Sequence, residues 1–276
     1  VIEPLTQLRL KQAPAQYSQH DVYYVEQGQG DLILLVHGSL CDLRYWRWQL
    51  SKLAPFGQIV SLSLPGCWPS EALYMAYDFE LENQCAALHD VIEATHQSGQ
   101  RIHLVGHSRG AHVVTHYLKR FPHSVTSVVL ADPAFEPYQA PTSLPILDEA
   151  ARLIAAGAES EGLGLFIDAV SGPNTWSQMV GWFKTMVQDN AHTLIAQSRE
   201  QLVLISPAHL HALAQQPVLL LGGALSPERY QRSINALKKE LPRAHQASIT
   251  HASHGMNLSN PKGFNQALLH FFQAIA

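Results

Sequence analysis

The chain has 276 residues, 46% of them apolar and only 14% charged, with a formal net charge of −4. That length allows one or two domains, and that apolar content builds a core large enough to exclude disorder as the main state. Mild negative charge without any run of Lys or Arg excludes the basic footprint of a nucleic-acid binder and an electrostatic membrane-surface role.

Tyr23-Tyr24-Val25 reads as an antiparallel edge strand. Asp31 to Val36 is a short, nearly continuous apolar run, the pattern of a strand covered on both faces in a parallel sheet. It ends at His37-Gly38-Ser39, and a helical pattern follows from Leu43 to Ala54. Gln58 to Leu62 is the next strand, stopped by Pro65-Gly66. From Phe79 to His96 the residues Leu81, Cys85, Leu88, Val91 and Ile92 keep helical spacing. Arg101 to Val105 is a strand, Ser108 to Arg120 a helix and Val125 to Ala131 a strand. Between Pro133 and Pro207 the alternation stops, with helical stretches but no convincing strand. It returns with Pro217 to Leu221 (strand), Pro227 to Glu240 (helix), Gln246 to Thr250 (strand) and Pro261 to Ile275 (helix). Alternating strand and helix predicts an open α/β sheet covered on both faces, and the interruption predicts an inserted helical cap. The expected division is a core in two parts, residues 1–136 and 207–276, with the cap at 137–206.

No apolar stretch approaches the roughly 20 residues that span a bilayer. From Val1 onward neither a positive segment nor an apolar one marks a signal peptide, so a cytoplasmic protein is expected. The three cysteines, Cys41, Cys67 and Cys85, are odd in number and fit neither a zinc site nor a redox pair, so free buried thiols are expected. The 16 histidines are dispersed; His112 and His116 stand at i, i+4, but Val113 takes the place of the Glu in H-E-x-x-H. No metal is expected.

The sharpest chemical signal is Gly106-His107-Ser108-Arg109-Gly110, a G-x-S-x-G between a strand and a helix. A tight turn there lifts a serine hydroxyl above the sheet edge, and the glycines permit the strained backbone. Serine is a weak nucleophile and needs a base held by a third group. His254 and His251 both follow the last strand, and His254, in a loop entering the final helix, is the expected base. For the acid, Asp132 directly follows strand 125–131, and Glu228 opens the helix after strand 217–221. Asp132 is preferred, because a carboxylate at a helix start is usual on dipole grounds alone. Backbone N–H groups of Ser39 and Arg109 are the expected oxyanion donors, and Gly38 lets substrate approach the backbone closely. The Arg109 side chain is expected in a structural ion pair.

Within the cap, Trp176, Met179, Val180 and Phe183 fit one helical face, with Trp182 beside them. They form either an apolar ceiling over Ser108 or the packing of cap on core. Trp46 and Trp68 lie on loops at the carboxyl edge of the sheet and could line the same cavity; Trp46 could instead anchor its helix.

Taken together, His37-Gly38-Ser39, Gly106–Gly110, Leu130-Ala131-Asp132-Pro133 and His254-Gly255-Met256 resemble the α/β-hydrolase fold superfamily over nearly the whole chain. The resemblance implies a mostly parallel eight-stranded sheet flanked by helices, a helical cap between strands six and seven, and a Ser–Asp–His triad. The departure is the missing acid after strand seven; haloalkane dehalogenases and cofactor-free ring-cleaving dioxygenases also place it after strand six. The expected activity is that of a carboxylesterase-like serine hydrolase on a small, moderately apolar ester, without cofactor, as a monomer or homodimer. The alternatives are a cofactor-independent dioxygenase or C–C bond hydrolase on the same frame, and a non-catalytic ligand-binding homologue.

Overall fold

Strands that lack polar alternation must be covered on both faces. A computed structural model, describing residues 9–70, 79–139, 145–201 and 203–276, places them so. The strands are β1 (Lys11–Ala13), β2 (Val22–Gln27), β3 (Leu32–Val36), β4 (Gln58–Leu62), β5 (Ile102–His107), β6 (Ser127–Ala131), β7 (Val218–Gly223) and β8 (His245–Ile249). They form one eight-stranded sheet in the order β1-β2-β4-β3-β5-β6-β7-β8. From β4 to β8 all neighbours are parallel, whereas β2 is antiparallel to both β1 and β4. Tyr23–Val25 is therefore not at the edge, as its sequence suggested. The three-residue β1 lies outside it, and Lys-Gln-Ala carries no apolar pattern by which β1 could be read.

The helices are α1 (Arg47–Leu53), α2 (Leu81–Thr95), α3 (Arg109–Arg120), α4 (Pro145–Ala155), α5 (Glu159–Ser171), α6 (Thr175–Gln178), α7 (Gly181–Asp189), α8 (Ala191–Ser198), α9 (Pro207–Ala214), α10 (Glu228–Glu240), α11 (Met256–Ser259) and α12 (Pro261–Ala274). A 3-10 turn, Leu43–Trp46, precedes α1. Successive strand residues point to opposite faces. In β3, Leu32, Leu34 and Val36 join Cys85, Leu88, Val113 and Ile234 from α2, α3 and α10 in one buried cluster. Ile33 and Leu35 join Leu50, Phe264 and Leu268 from α1 and α12 in the other.

Helices α4 to α8 lie between β6 and β7, and no strand interrupts them among the described residues. The expected cap range, 137–206, includes residues 140–144 and 202, which lie outside the described ones. Its helices pack Leu163, Phe166, Ile167 and Met186 into the second cluster. Among the described residues no helix is long and apolar enough to cross a membrane, and no group of three or more His, Cys, Asp or Glu could hold a metal ion. The cysteines are free and buried.

Candidate active site

Because the central strands run parallel, their carboxyl ends and the loops that follow share one edge of the sheet. Register then sets the neighbours. His107 pairs with Ala131, so Ser108 and Asp132 leave adjacent strands side by side, and the Ser108 N–H donates to Ala131 O at 2.9 Å. On the next strand Ala131 pairs with Leu221, and the Asp132 N–H donates to Leu221 O at 2.8 Å.

Ser108 has φ 54° and ψ −117° at the turn from β5 into α3. Leu40 (φ 60°) and Asp132 (φ 42°) are also left-handed without being glycine. Such conformations cost of order 1–3 kcal/mol each and persist only where the surroundings impose them. Two glycines make the turn possible. A Cβ on Gly106 would stand 2.5 Å from Gly110 O, and one on Gly110 would stand 2.3 Å from Val36 O. A Cβ on Gly38 would come within 3.0 Å of the Ser108 Cβ, so the loop after β3 lies directly against the serine.

His254 is 5% exposed and Asp132 fully buried, and Nδ1 of His254 donates to Asp132 Oδ2 across 3.0 Å. Asp132 Oδ2 also accepts from the Ser226 hydroxyl at 2.6 Å, and Oδ1 from the Gly223 N–H at 3.3 Å. Burial raises the Asp132 carboxyl to about 6 against these hydrogen bonds, and burial lowers the His254 imidazole to about 3, with the Arg229 charge acting in the same direction. Nε2 of His254 has no protein partner among the described residues. His254 and Ser108 line one cavity of about 480 Å³.

Backbone donors face the same place. The imidazole of His37, neutral because burial lowers it to about 4, accepts from the Leu64 N–H at Nε2 and donates from Nδ1 to Gly38 O at 2.8 Å. That bond turns the Gly38 carbonyl toward His37. In a trans peptide the Ser39 N–H points the opposite way. Neither this N–H nor that of Arg109, the first residue of α3, meets a protein acceptor among the described residues. The Arg109 guanidinium turns away and forms a buried bidentate pair with Glu200, at 2.5 and 2.6 Å. Gln84 Oε1 accepts from its Nε and Phe79 O from its Nη2.

Apolar side chains make up most of the cavity wall. Tyr45, Trp48, Phe166, Ile167, Val170, Met179, Trp182, Phe183 and Leu258 line it together with Gly38, Ser39 and Cys41, and no Lys, Arg, Asp or Glu among the described residues does. Three expected wall residues are elsewhere. Trp46 is fully buried beneath the site, against Phe264 at 5.8 Å between ring centroids, and its neighbours Tyr45 and Trp48 reach the cavity instead. Trp176 packs on the outer side of α5, where a Cβ on Gly164 would stand 2.8 Å from its Cδ1. The single helical face expected over 176–183 is broken, because Met179 and Val180 are extended and separate α6 from α7. Trp68 lies under the Arg44 guanidinium, 4.0 Å from its ring centroid, and is not in the wall.

Of the other expected alternatives, His251 is exposed and lines no part of the cavity. The Glu228 side chain is 85% exposed and faces Arg232 at 3.7 Å. Sequence reading missed Ser226, Gly223, His107, Tyr230 and Glu200. Only Ser226 carried a local signal, as the residue before Pro227 at a helix start.

The sequence model of the Alpha/beta hydrolase family matches residues 33–267, and the chain belongs to that family. A curated relative, abhydrolase domain-containing protein abhd-5.2 of Caenorhabditis elegans, is 29% identical over 106 residues, 37% of this chain. The match spans 23% of that relative's own length. Among solved structures, the esterase RhEst1 from Rhodococcus sp. ECU1013 superposes with a TM-score of 0.77 at 19% identity, covering 97% of this chain and 99% of that one. A bromoperoxidase from Bacillus anthracis superposes with a TM-score of 0.75 at 18% identity, covering 96% and 100%. At such identities the likeness is one of fold.

Proposed function

We propose that the protein is a serine hydrolase that cleaves small, moderately apolar carboxylic esters through an acyl-enzyme. What carries the reading is the hydrogen bond from His254 Nδ1 to Asp132, which leaves the second ring nitrogen free on the cavity that Ser108 also lines. In the proposed reaction the Ser108 oxygen attacks the ester carbonyl carbon, and its proton passes to His254 Nε2. The carbonyl electron pair moves onto oxygen, where the N–H groups of Ser39 and Arg109 hold the charge. When the tetrahedral adduct collapses, the alkoxide leaves with the proton from Nε2, and a water molecule repeats the sequence to release the acid. Asp132 stays ionised and supports the imidazolium. A wall with no Lys, Arg, Asp or Glu among the described residues favours a neutral acyl or aryl group, since a buried charge without a partner is costly. Esterase neighbours of similar fold agree with this choice of chemistry.

A panel of p-nitrophenyl esters of increasing acyl length, read for a burst of p-nitrophenol, tests it. Ser108→Ala should lower kcat by on the order of 10³-fold or more, with folding nearly unchanged. Turnover above a tenth of the parent rate in that variant, or no burst in the parent, would move the assignment to the dioxygenase, C–C hydrolase or ligand-binding readings.

A further inference from the structure

One hydrogen bond at Nδ1 fixes a point on the His254 ring but leaves its plane free to turn. The plane is set by another contact. Tyr230 lies parallel to it, with ring centroids 4.1 Å apart and 12° between the planes. A second ring, His107, stands 4.6 Å away at 39°, and its Nε2–H donates to the His254 carbonyl oxygen at 2.7 Å. Tyr230 is itself 1% exposed, and a buried phenol needs a partner for its hydroxyl. That partner is its neighbour in sequence: Arg229 Nη2 donates to the Tyr230 oxygen at 2.8 Å.

Arg229 is placed at a cost. It is the second residue of α10, where the helix dipole disfavours a cation. Its Nε is buried without a hydrogen-bond partner among the described residues. A group held so expensively calls for a compensating role. Two are at hand: the bond to Tyr230, and the field of its charge at the Asp132 carboxylate, whose pKa it lowers.

We propose that Tyr230, anchored by Arg229, is a positioning residue that sets the plane of the His254 ring and keeps its free nitrogen on the cavity. The proposal rests on the reading of His254 as the base. As the ring takes up the serine proton, the face of Tyr230 also lies against the new positive charge, an attraction a non-aromatic side chain lacks. The charged and titratable groups around His254 are Asp132 after β6, His107 at the end of β5, and Arg229 and Tyr230 on α10.

The experiment compares Tyr230→Leu, Tyr230→Phe and Arg229→Gln with the parent, using p-nitrophenyl acetate and proton NMR of the His254 Nδ1–H. Tyr230→Leu should lower kcat about 10–100-fold while KM stays within about threefold, because misplacing a reacting group acts on the transition state. Tyr230→Phe keeps the ring and should recover most of that loss. Arg229→Gln should move the acid limb of the pH profile upward, since removing a cation favours protonation of both partners of the pair. Parental kcat in Tyr230→Leu, or equal loss in the Phe and Leu variants, overturns the proposal. Should Tyr230→Leu fail to fold, Tyr230→Met takes its place, with the same loss of kcat expected, and parental kcat in that variant overturns the proposal. If the parent turns over no ester, the functional reading fails separately. The downfield Nδ1–H signal then tests the clamp alone, sharp in the parent and Tyr230→Phe and broadened in Tyr230→Leu; equal signals in all three overturn it.

Discussion

Asp132 receives hydrogen bonds from His254, in the loop after β8, and from the Gly223 N–H and Ser226 hydroxyl, at and just beyond the end of β7. The chain beyond β7 thus supplies donors to the carboxylate, and Glu228, two residues further, stays in solvent. Asp132→Asn keeps the size but removes the charge and favours the wrong imidazole tautomer, a change that costs about 10⁴-fold in one well-studied triad. A loss of at least about 10²-fold in kcat is expected here, against less than about 5-fold for Glu228→Gln. The reverse ranking in steady-state assays would assign the acid to Glu228. Acidity follows from the same burial. The proposed reaction needs neutral His254 and ionised Asp132, and burial raises the carboxyl to about 6 while lowering the imidazole. The hydrogen-bonded pair titrates as a unit. Activity should therefore be flat above neutrality and fall as pH drops through about 6; a midpoint near 4, the ordinary carboxylate range, would contradict it. Ser108, His254 and Asp132 could be picked out as candidates from the sequence because each sits within a few residues of a strand end. The partners of Asp132 were not, because they depend on which strand lies next to β6.

At the scale of elements, the turn from β5 to α3 is held from several directions. Gly38 lies against Ser108, Gly110 fits under Val36 and His37, and the Arg109–Glu200 pair ties the start of α3 to the chain after α8. Truncating either partner of such a buried pair leaves the other charge uncompensated. The helices between β6 and β7 are tied to the rest of the chain elsewhere too. Arg44 pairs with Asp189 at 2.8 Å, and Asn190 bonds Asp42 at 2.7 Å and the Trp68 N–H at 2.8 Å. Against this fixed side, α7 presents Trp182 and Phe183 to the cavity. Trp182→Ala enlarges the space and removes a wall, so preference among acyl chain lengths should shift by about tenfold or more in kcat/KM, while attack on acetate changes less. Identical acyl selectivity in the variant would mean that Trp182 serves packing alone. Periodicity pointed to this segment but assumed one helix. The extended pair Met179–Val180 rotates α7 relative to α6, which is why Trp176 left the predicted face.

For the whole molecule, two apolar layers on one sheet supply the stability, and the site adds strain to it. Leu34, fully buried among α2, α3 and their neighbours, is a test of the first layer. Leu34→Ala should cost about 2–5 kcal/mol, seen as a lower denaturation midpoint. Leu225→Ala, at a side chain 67% exposed, should change stability by less than about 0.5 kcal/mol. Equal effects would refute the layer assignment.

The sequence by itself determined the parallel strands, through apolar runs with no polar face, and the helical stretch between β6 and β7, through the loss of alternation. It also determined the serine turn, whose glycines and strand-to-helix context are local. The tertiary structure alone decided the lateral order of strands, and with it which side chains reach Asp132 and His254. It placed Tyr230 on the imidazole, Glu200 on Arg109, and Tyr45 rather than Trp46 in the cavity wall. The reason is that spacing along a chain encodes which face a residue takes within its own element. Contacts between elements come from register and packing, over separations such as the 122 residues from Asp132 to His254.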